Sequence, residues 1–321
     1  MISLNGEPTR WFGASGAHAF GSGWLYEQPY RWLGWMRPKL MTVVVKTLTF
    51  EPITGNLQWH KRFGGCVRLL DAWGNVLHEG HWLINSARIA GVVNAVGLTN
   101  PGYAAWCEDW WRRYQYLPYN FVVSIMASSV EQAEKMTEAI VWASRQQGGP
   151  GRIVGIEVNL SCPNKCESAA LLSNTTLSIQ IVQAVKAKAA SLPVLVKLGP
   201  TQNYLAIAAA LREIVVGFSI NSAPWDLIFR GKPSPLAFLG VNGGVSGKVA
   251  QPVLWKMAAD LVQLGVPTIG PSVWDYADVH SLFRHVGVQA VHFGALHLRG
   301  IAGPTLPTRY ITAYQGTHGC H

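Results

Sequence analysis

The chain has 321 residues, 49% of them hydrophobic and only 13% charged, so it can bury a sizeable core in two domains or in one large α/β barrel. A formal net charge of +9 would suit nucleic acid, but the Lys and Arg residues are scattered rather than clustered, so the excess points to anionic ligands or an acidic partner. The longest apolar run, near 205–220, is broken by Arg212 and Glu213, and residues 1–10 carry no signal core or amphipathic anchor, so a cytoplasmic protein without a membrane or nucleic-acid partner is expected.

In chain order, 31–40 reads as a first helix or a closure of the barrel bottom, and 43–50 as the first strand. Residues 63–90 form an insertion ahead of the second strand. Within it, Asp71-Ala72-Trp73-Gly74-Asn75 reads as a turn between two extended arms. The segment would be a lid over a site or a subunit contact. Further β-rich runs follow at 91–98, 120–127, 155–162, 193–199, 215–222, 266–271 and 290–296. Helical patterns lie between most of them: one opened by the Ser128/Glu131 capping box and running to about 146, then 177–190, 203–214, 250–264 and 275–285. Alternating strands and helices imply parallel pairing with right-handed crossovers. Eight such units predict one (β/α)8 TIM barrel over 1–321, with a doubly wound open sheet as the runner-up.

Five cysteines without a regular framework, at 66, 107, 162, 166 and 320, argue for a reducing compartment. Cys162 and Cys166 lack a second pair, so no metal site is expected, and His318-Gly319-Cys320-His321 reads as a frayed tail.

The most informative stretch is Asn159-Leu160-Ser161-Cys162-Pro163-Asn164. Asparagine fits poorly in a half-buried strand, and a cysteine between two amides at a strand end suits a small polar ring bound beside a reactive sulfur. Strand ends in such a barrel face the active site, and here they also carry Lys46, Thr47, Asn94, Lys197, Asn221 and Ser222. Lys46 and Lys197 follow apolar residues, where an anionic ligand would offset the cost of a buried ammonium. Gly243-Gly244-Val245-Ser246-Gly247, Gly270 and Gly294 form a second, phosphate-like theme near the last strands.

These motifs resemble the dihydroorotate dehydrogenase family. The likeness runs through Gly13-Ala14-Ser15-Gly16, Val45-Lys46-Thr47 with Gly55-Asn56, and Asn94 to Gly102. It continues through Asn159 to Asn164, Val196-Lys197, Asn221-Ser222 and Gly243 to Gly247. The resemblance implies a flavin barrel that oxidises dihydroorotate in pyrimidine synthesis, passing hydride to FMN and a proton to Cys162. Asn94, Asn159, Asn164, Asn221 and Ser222 would bind the pyrimidine ring and carboxylate, with the backbone of Gly97 and Leu98 completing that pocket. Lys46 would lie near flavin and substrate, and Lys197 near flavin N1/O2. Ala14, Ser15 and Thr47 would touch the flavin, and Ser246 with Gly247 its ribityl–phosphate end.

The chain departs from the family pattern where a Gly-Gly pair usually follows the seventh strand and Gly-Thr the eighth. Here Ser272 stands in Gly270-Pro271-Ser272, and Gly294 is followed by Ala295. The resemblance is closest to the soluble, cysteine-base branch. Within it, Asn100-Pro101-Gly102 favours the NAD-linked form over the fumarate-reducing homodimer. That form implies a homodimer core with an iron–sulfur flavoprotein subunit. Competing readings are a related pyrimidine reductase, against which Asn164 speaks, and a catalytically silent barrel kept as a scaffold.

Overall fold

Parallel strands close into a barrel in the computed structural model, which describes residues 1–58, 65–146, 148–161 and 174–318. Eight strands form it. Thr42–Val44 pairs Trp11–Gly13, followed in turn by Ala290–Phe293, Thr268–Gly270, Gly217–Ile220, Val194–Leu198, Arg152–Asn159 and Asn120–Met126. Val43 opposite Phe121 closes the ring. The expected barrel is therefore present.

One member of the expected strand set is different. Residues 91–98 were expected as a barrel strand, but Gly91–Asn94 lies in a separate antiparallel sheet with Val67–Leu70, Gly244–Gly247 and Ala223–Pro224. The eighth barrel strand is instead the first in the chain, Trp11–Gly13, whose three residues are too short to show a period. An apolar run looks the same whether helices or a barrel rim cover it, which is why Val92 and Val93 misled. The insertion accordingly falls between the second and third barrel strands. Its hairpin is as expected: Asp71 Oδ1 accepts from the backbone N–H groups of Trp73 and Asn75 at 2.9 and 2.8 Å.

The barrel interior changes character along its axis. A lower layer is apolar, built from Phe12, Val44, Val122, Val154, Leu195, Ile269 and Ala290, and Ile2 and Leu4 of the N-terminal hairpin close it from below. That hairpin, rather than 31–40, seals the bottom; 31–40 belongs to the connection between the first two strands, with a short helix at Gln28–Trp32. Two residues further along the strands, on the same face, stand Ala14, Lys46, Lys197, Pro271 and His292, all lining one cavity. The fourth strand reaches this level with Glu157, three residues past Val154, because an irregularity at its pairing with Phe121 and Val122 inserts an extra residue.

Helices cover the outside. Val130–Arg145 starts at Ser129, whose side chain accepts from Gln132 N, one residue later than the expected cap. Thr175–Lys188, Tyr204–Leu211 and Gln251–Gln263 follow the expected order, the first two capped by Asn174 and Asn203.

Candidate active site

The cavity opens at the C-terminal ends of the barrel strands and encloses about 910 Å³. Glu157, Asn159, Lys197 and His292 form its floor. Its walls come from the loop after the first strand (Ala14–Ala17 and Trp24–Tyr26) and from the antiparallel sheet (Val67, Val92, Asn94, Ser246). Trp82 and Val67, which also line it, come from the inserted segment.

The floor is a closed polar network. Lys197, 6% exposed, donates to Glu157 Oε1 at 2.8 Å, and Ser124 and Ser219 donate to the same carboxylate at 2.9 and 2.7 Å. Burial pulls the Glu157 carboxyl upward, but the Lys197 charge and these hydrogen bonds outweigh it and hold it below its ordinary value. The counter-charge that Lys197 needs is thus supplied by the protein rather than only by a ligand. Glu157 was missed in the sequence because it sits inside an apolar run; its i,i+2 spacing from Asn159 was the available signal. Thr47 extends the network, lying 3.0 Å from Ser124 Oγ and accepting from Asn159 Nδ2 at 3.0 Å, with Ser15 Oγ at 3.2 Å. Lys46 is buried beside it, its ammonium over the Phe20 ring at 5.8 Å.

Three asparagines reach the same cavity from different elements. Asn159 Oδ1 accepts from the backbone and hydroxyl of Ser161 at 3.1 and 2.9 Å, leaving one amide hydrogen beyond its Thr47 bond. Asn221 Nδ2 donates to Ser161 O at 3.0 Å, and Asn94 Nδ2 to Gly244 O at 3.3 Å. The chain is therefore anchored up to the residue before Cys162. Cys162 and Asn164 themselves lie outside the described residues. The two described cysteines are poor reactive thiols: burial pushes Cys66 up and Cys107 up to about 12.

Ser222, Leu98, Ser272, Gly294 and Ala295 also line the cavity, whereas Gly97 and Gly247 are not part of its lining. A Cβ on Gly247 would meet Gly91 Cα and the Trp274 ring at 2.9 Å, so glycine there serves packing of the antiparallel sheet. Gly55 is similarly constrained: at φ +57° its Cβ would strike Thr99 Oγ1 and Val96 O, which seats the 95–99 turn at the rim. Ser272 has φ +56°, a left-handed backbone that glycine adopts without cost. Ser272→Gly is expected to raise stability by about 1 kcal/mol, read from the urea unfolding midpoint; a lowered midpoint would show that the serine hydroxyl matters more than the strain.

His292 was not singled out in the sequence. Burial pushes it down to about 4 from 6.5, with Glu157 raising and Lys197 lowering it. The unfolded chain binds a proton near 6.5 that the folded chain refuses, so stability falls as pH drops from there toward 4, by on the order of 3 kcal/mol. Urea midpoints measured across this window should decline in the parent and decline less in His292→Gln.

This chain matches the sequence model described as Dihydroorotate dehydrogenase over residues 85–270. The chain belongs to the dihydroorotate dehydrogenase family. It is an oxidoreductase of that family, and its similarity is to the NAD-linked branch. A protein of Desulforudis audaxviator named dihydroorotate dehydrogenase B (NAD(+)), catalytic subunit, is 33% identical over 65% of this chain and 67% of its own length. One of Bacteroides fragilis with the same name is 27% identical over 81% of this chain and 84% of its own. Among solved structures, DHODH from Eimeria tenella in complex with ferulenol superposes with a TM-score of 0.64 at 15% identity, covering 99% of this chain and 85% of that one. That likeness concerns the barrel alone. Among the described residues no helix is long and apolar enough to cross a membrane.

Proposed function

We propose that this chain oxidises dihydroorotate to orotate in pyrimidine biosynthesis, with FMN held in the cavity and Cys162 as the base. The carrying observation is the polar lining of the cavity. Lys46, Lys197, Asn94, Asn159 and Asn221, far apart in sequence, converge on one pocket with the hydroxyls of Ser15 and Thr47.

The donor set fits a flavin beside a small anionic ring. Lys197 would stand near flavin N1/O2, where a fixed cation stabilises negative charge. Thr47, Ser15 and Ala14 would bound the ring system, and Asn159 has one amide hydrogen left for a ligand carbonyl. Ser246, Ser272, Gly294 and Ala295 lie where the ribityl–phosphate end would go, with backbone N–H groups taking over from the hydroxyl that Ala295 lacks. When bound, FMN accepts the hydride that leaves C6 of dihydroorotate. Cys162 takes the C5 proton, and Lys46 with Asn94, Asn164, Asn221 and Ser222 orients the ring and its carboxylate.

The reading extends to a homodimer core with an iron–sulfur flavoprotein subunit that passes electrons to NAD. In support, Trp32 is 95% exposed, and Leu33 and Trp35 are exposed on the same segment, apolar side chains of the kind that protein contacts cover.

An absorbance spectrum of the purified chain with FMN, before and after anaerobic dihydroorotate, tests the reading. Bleaching of the flavin band supports it. Bound but unbleached flavin would point to another substrate, and no flavin binding would favour the scaffold.

A further inference from the structure

At the cavity wall, three ligand-class side chains that the reading above does not use meet out of water. His18 comes from the turn after the first barrel strand, Glu27 from the helical turn Leu25–Glu27 within that same connection, and His297 from the turn after the eighth strand. Their exposures are 0%, 0% and 1%. One candidate ligand atom from each lies within 4.8 Å of the others. His18 Nδ1 stands 3.3 Å from Glu27 Oε2, and the His18 and His297 rings meet edge to face at 4.7 Å.

The polar atoms of this cluster are only partly satisfied: His18 Nδ1 lies within hydrogen-bond distance of Glu27 Oε2 at 3.3 Å and of Arg31 Nη2 at 3.4 Å, and the rest go unmet. Glu27 Oε1 and both ring nitrogens of His297 are buried without a hydrogen-bond partner, and His297 Nδ1 faces Glu27 Oε1 at 3.7 Å without bonding it. Each such group costs about 1–3 kcal/mol when left unmet. Arg31 donates to Glu27 Oε2 at 3.1 Å, which fixes the carboxylate and leaves its other oxygen facing His297. An outer partner of this kind orients a metal-binding carboxylate.

We propose that His18, Glu27 and His297 form a structural site for a divalent first-row transition metal, with zinc the best chemical match. Two imidazoles and a carboxylate are a zinc-type ligand set, whereas magnesium and calcium call for oxygen ligands throughout. Bonds of about 2.0–2.2 Å to each donor require the side chains to draw together slightly from their present spacing. Three protein ligands leave one position for water or for a group entering the cavity that His297 lines. The Arg31 charge makes the site moderate in affinity rather than tight. Its effect would be to staple the loop carrying Ala14–Ala17 and Trp24–Tyr26 to the turn carrying Ala295 and Leu298, two walls of the same cavity. No Cys/His spacing flags this cluster in the sequence, whose reading expects no metal site.

The test is cobalt titration of the whole chain after chelator treatment, followed by zinc competition and thermal unfolding. One equivalent should produce the visible bands of four-coordinate cobalt, without the sulfur-to-cobalt charge-transfer band, and zinc should displace it and raise Tm. Cys320→Ser should leave this unchanged, and His297→Gln and His18→Gln should each abolish it. If a glutamine variant fails to fold, the parent titration decides alone. A charge-transfer band would place the metal on cysteine and overturn the assignment. So would the absence of saturable binding and of any Tm shift in the folded parent, which would leave the cluster purely hydrogen-bonded. None of these readouts depends on flavin or on turnover, so the proposal fails or stands independently of the proposed activity.

Discussion

Replacing Lys197 by methionine is expected to destabilise the fold by about 3–5 kcal/mol, because it strands a carboxylate that is 2% exposed inside the barrel. The loss arises less from the ion pair's own attraction than from the desolvation of Glu157 left uncompensated. Glu157→Gln in the Lys197→Met background should therefore recover a substantial part of it, since a neutral amide still reaches Ser124 and Ser219. The difference has a pH signature. The Glu157 carboxyl is held below its ordinary value of 4.5, so its stabilising contribution is present above that pH and disappears as pH falls through the folded value. The gap between parent and Lys197→Met should be full near neutrality and should close in acid. Urea unfolding of the three proteins at several pH values reads all of this. Equal stability of the parent and Lys197→Met near neutrality would mean that Glu157 is not the buried anion described here. Under the proposed activity, flavin retention should drop with the same substitution, because the cation beside N1/O2 is removed.

Cys162→Ala is expected to slow the reductive half-reaction by roughly 10²–10⁴-fold, the usual worth of a positioned general base. Flavin binding and unfolding midpoint should stay close to the parent, since the hydrogen bonds described for the cavity floor are made by Lys197, Ser124, Ser219 and Asn159. Cys162→Ser should fall between, a hydroxyl being a far weaker acid than a thiol at about pKa 8.5. In the parent, the rate should rise on the alkaline side as the thiolate fraction grows, and that limb should vanish in the alanine variant. Stopped-flow bleaching of bound FMN by dihydroorotate is the measurement. An unchanged rate constant in Cys162→Ala would remove this residue from the mechanism and leave the base to be sought elsewhere in the cavity.

Much of this protein was legible in one dimension. Lys46, Asn94, Asn159, Lys197 and Asn221 were picked out because polar residues at the ends of apolar runs are costly unless a site receives them, and all five line the cavity. The Asp71–Asn75 turn was equally plain, since Asp and Asn bond their own backbone locally and need no distant partner. Local chemistry of that kind is written in neighbouring residues.

Other features had no local signature. Trp11–Gly13 is a barrel strand only because Ala290–Phe293 and Thr42–Val44 pair with it, and Gly91–Asn94 is not one only because Val67–Leu70 and Gly244–Gly247 claim its edges. The partner of Lys197 was hidden for the same reason. Glu157 looks like an interruption of a strand until the neighbouring strand brings the ammonium within 2.8 Å. His18, Glu27 and His297 are an ordinary scatter in sequence and become one cluster only when the barrel closes its first and last strands together. The sequence by itself determined that polar side chains such as Lys46, Asn94, Asn159, Lys197 and Asn221 end apolar runs and that alternating strands and helices would close a barrel, since both follow from residue type and period. Tertiary structure alone decided which strands close it and which buried charges meet, because hydrogen-bond pairing and desolvation act between residues brought together by chain closure.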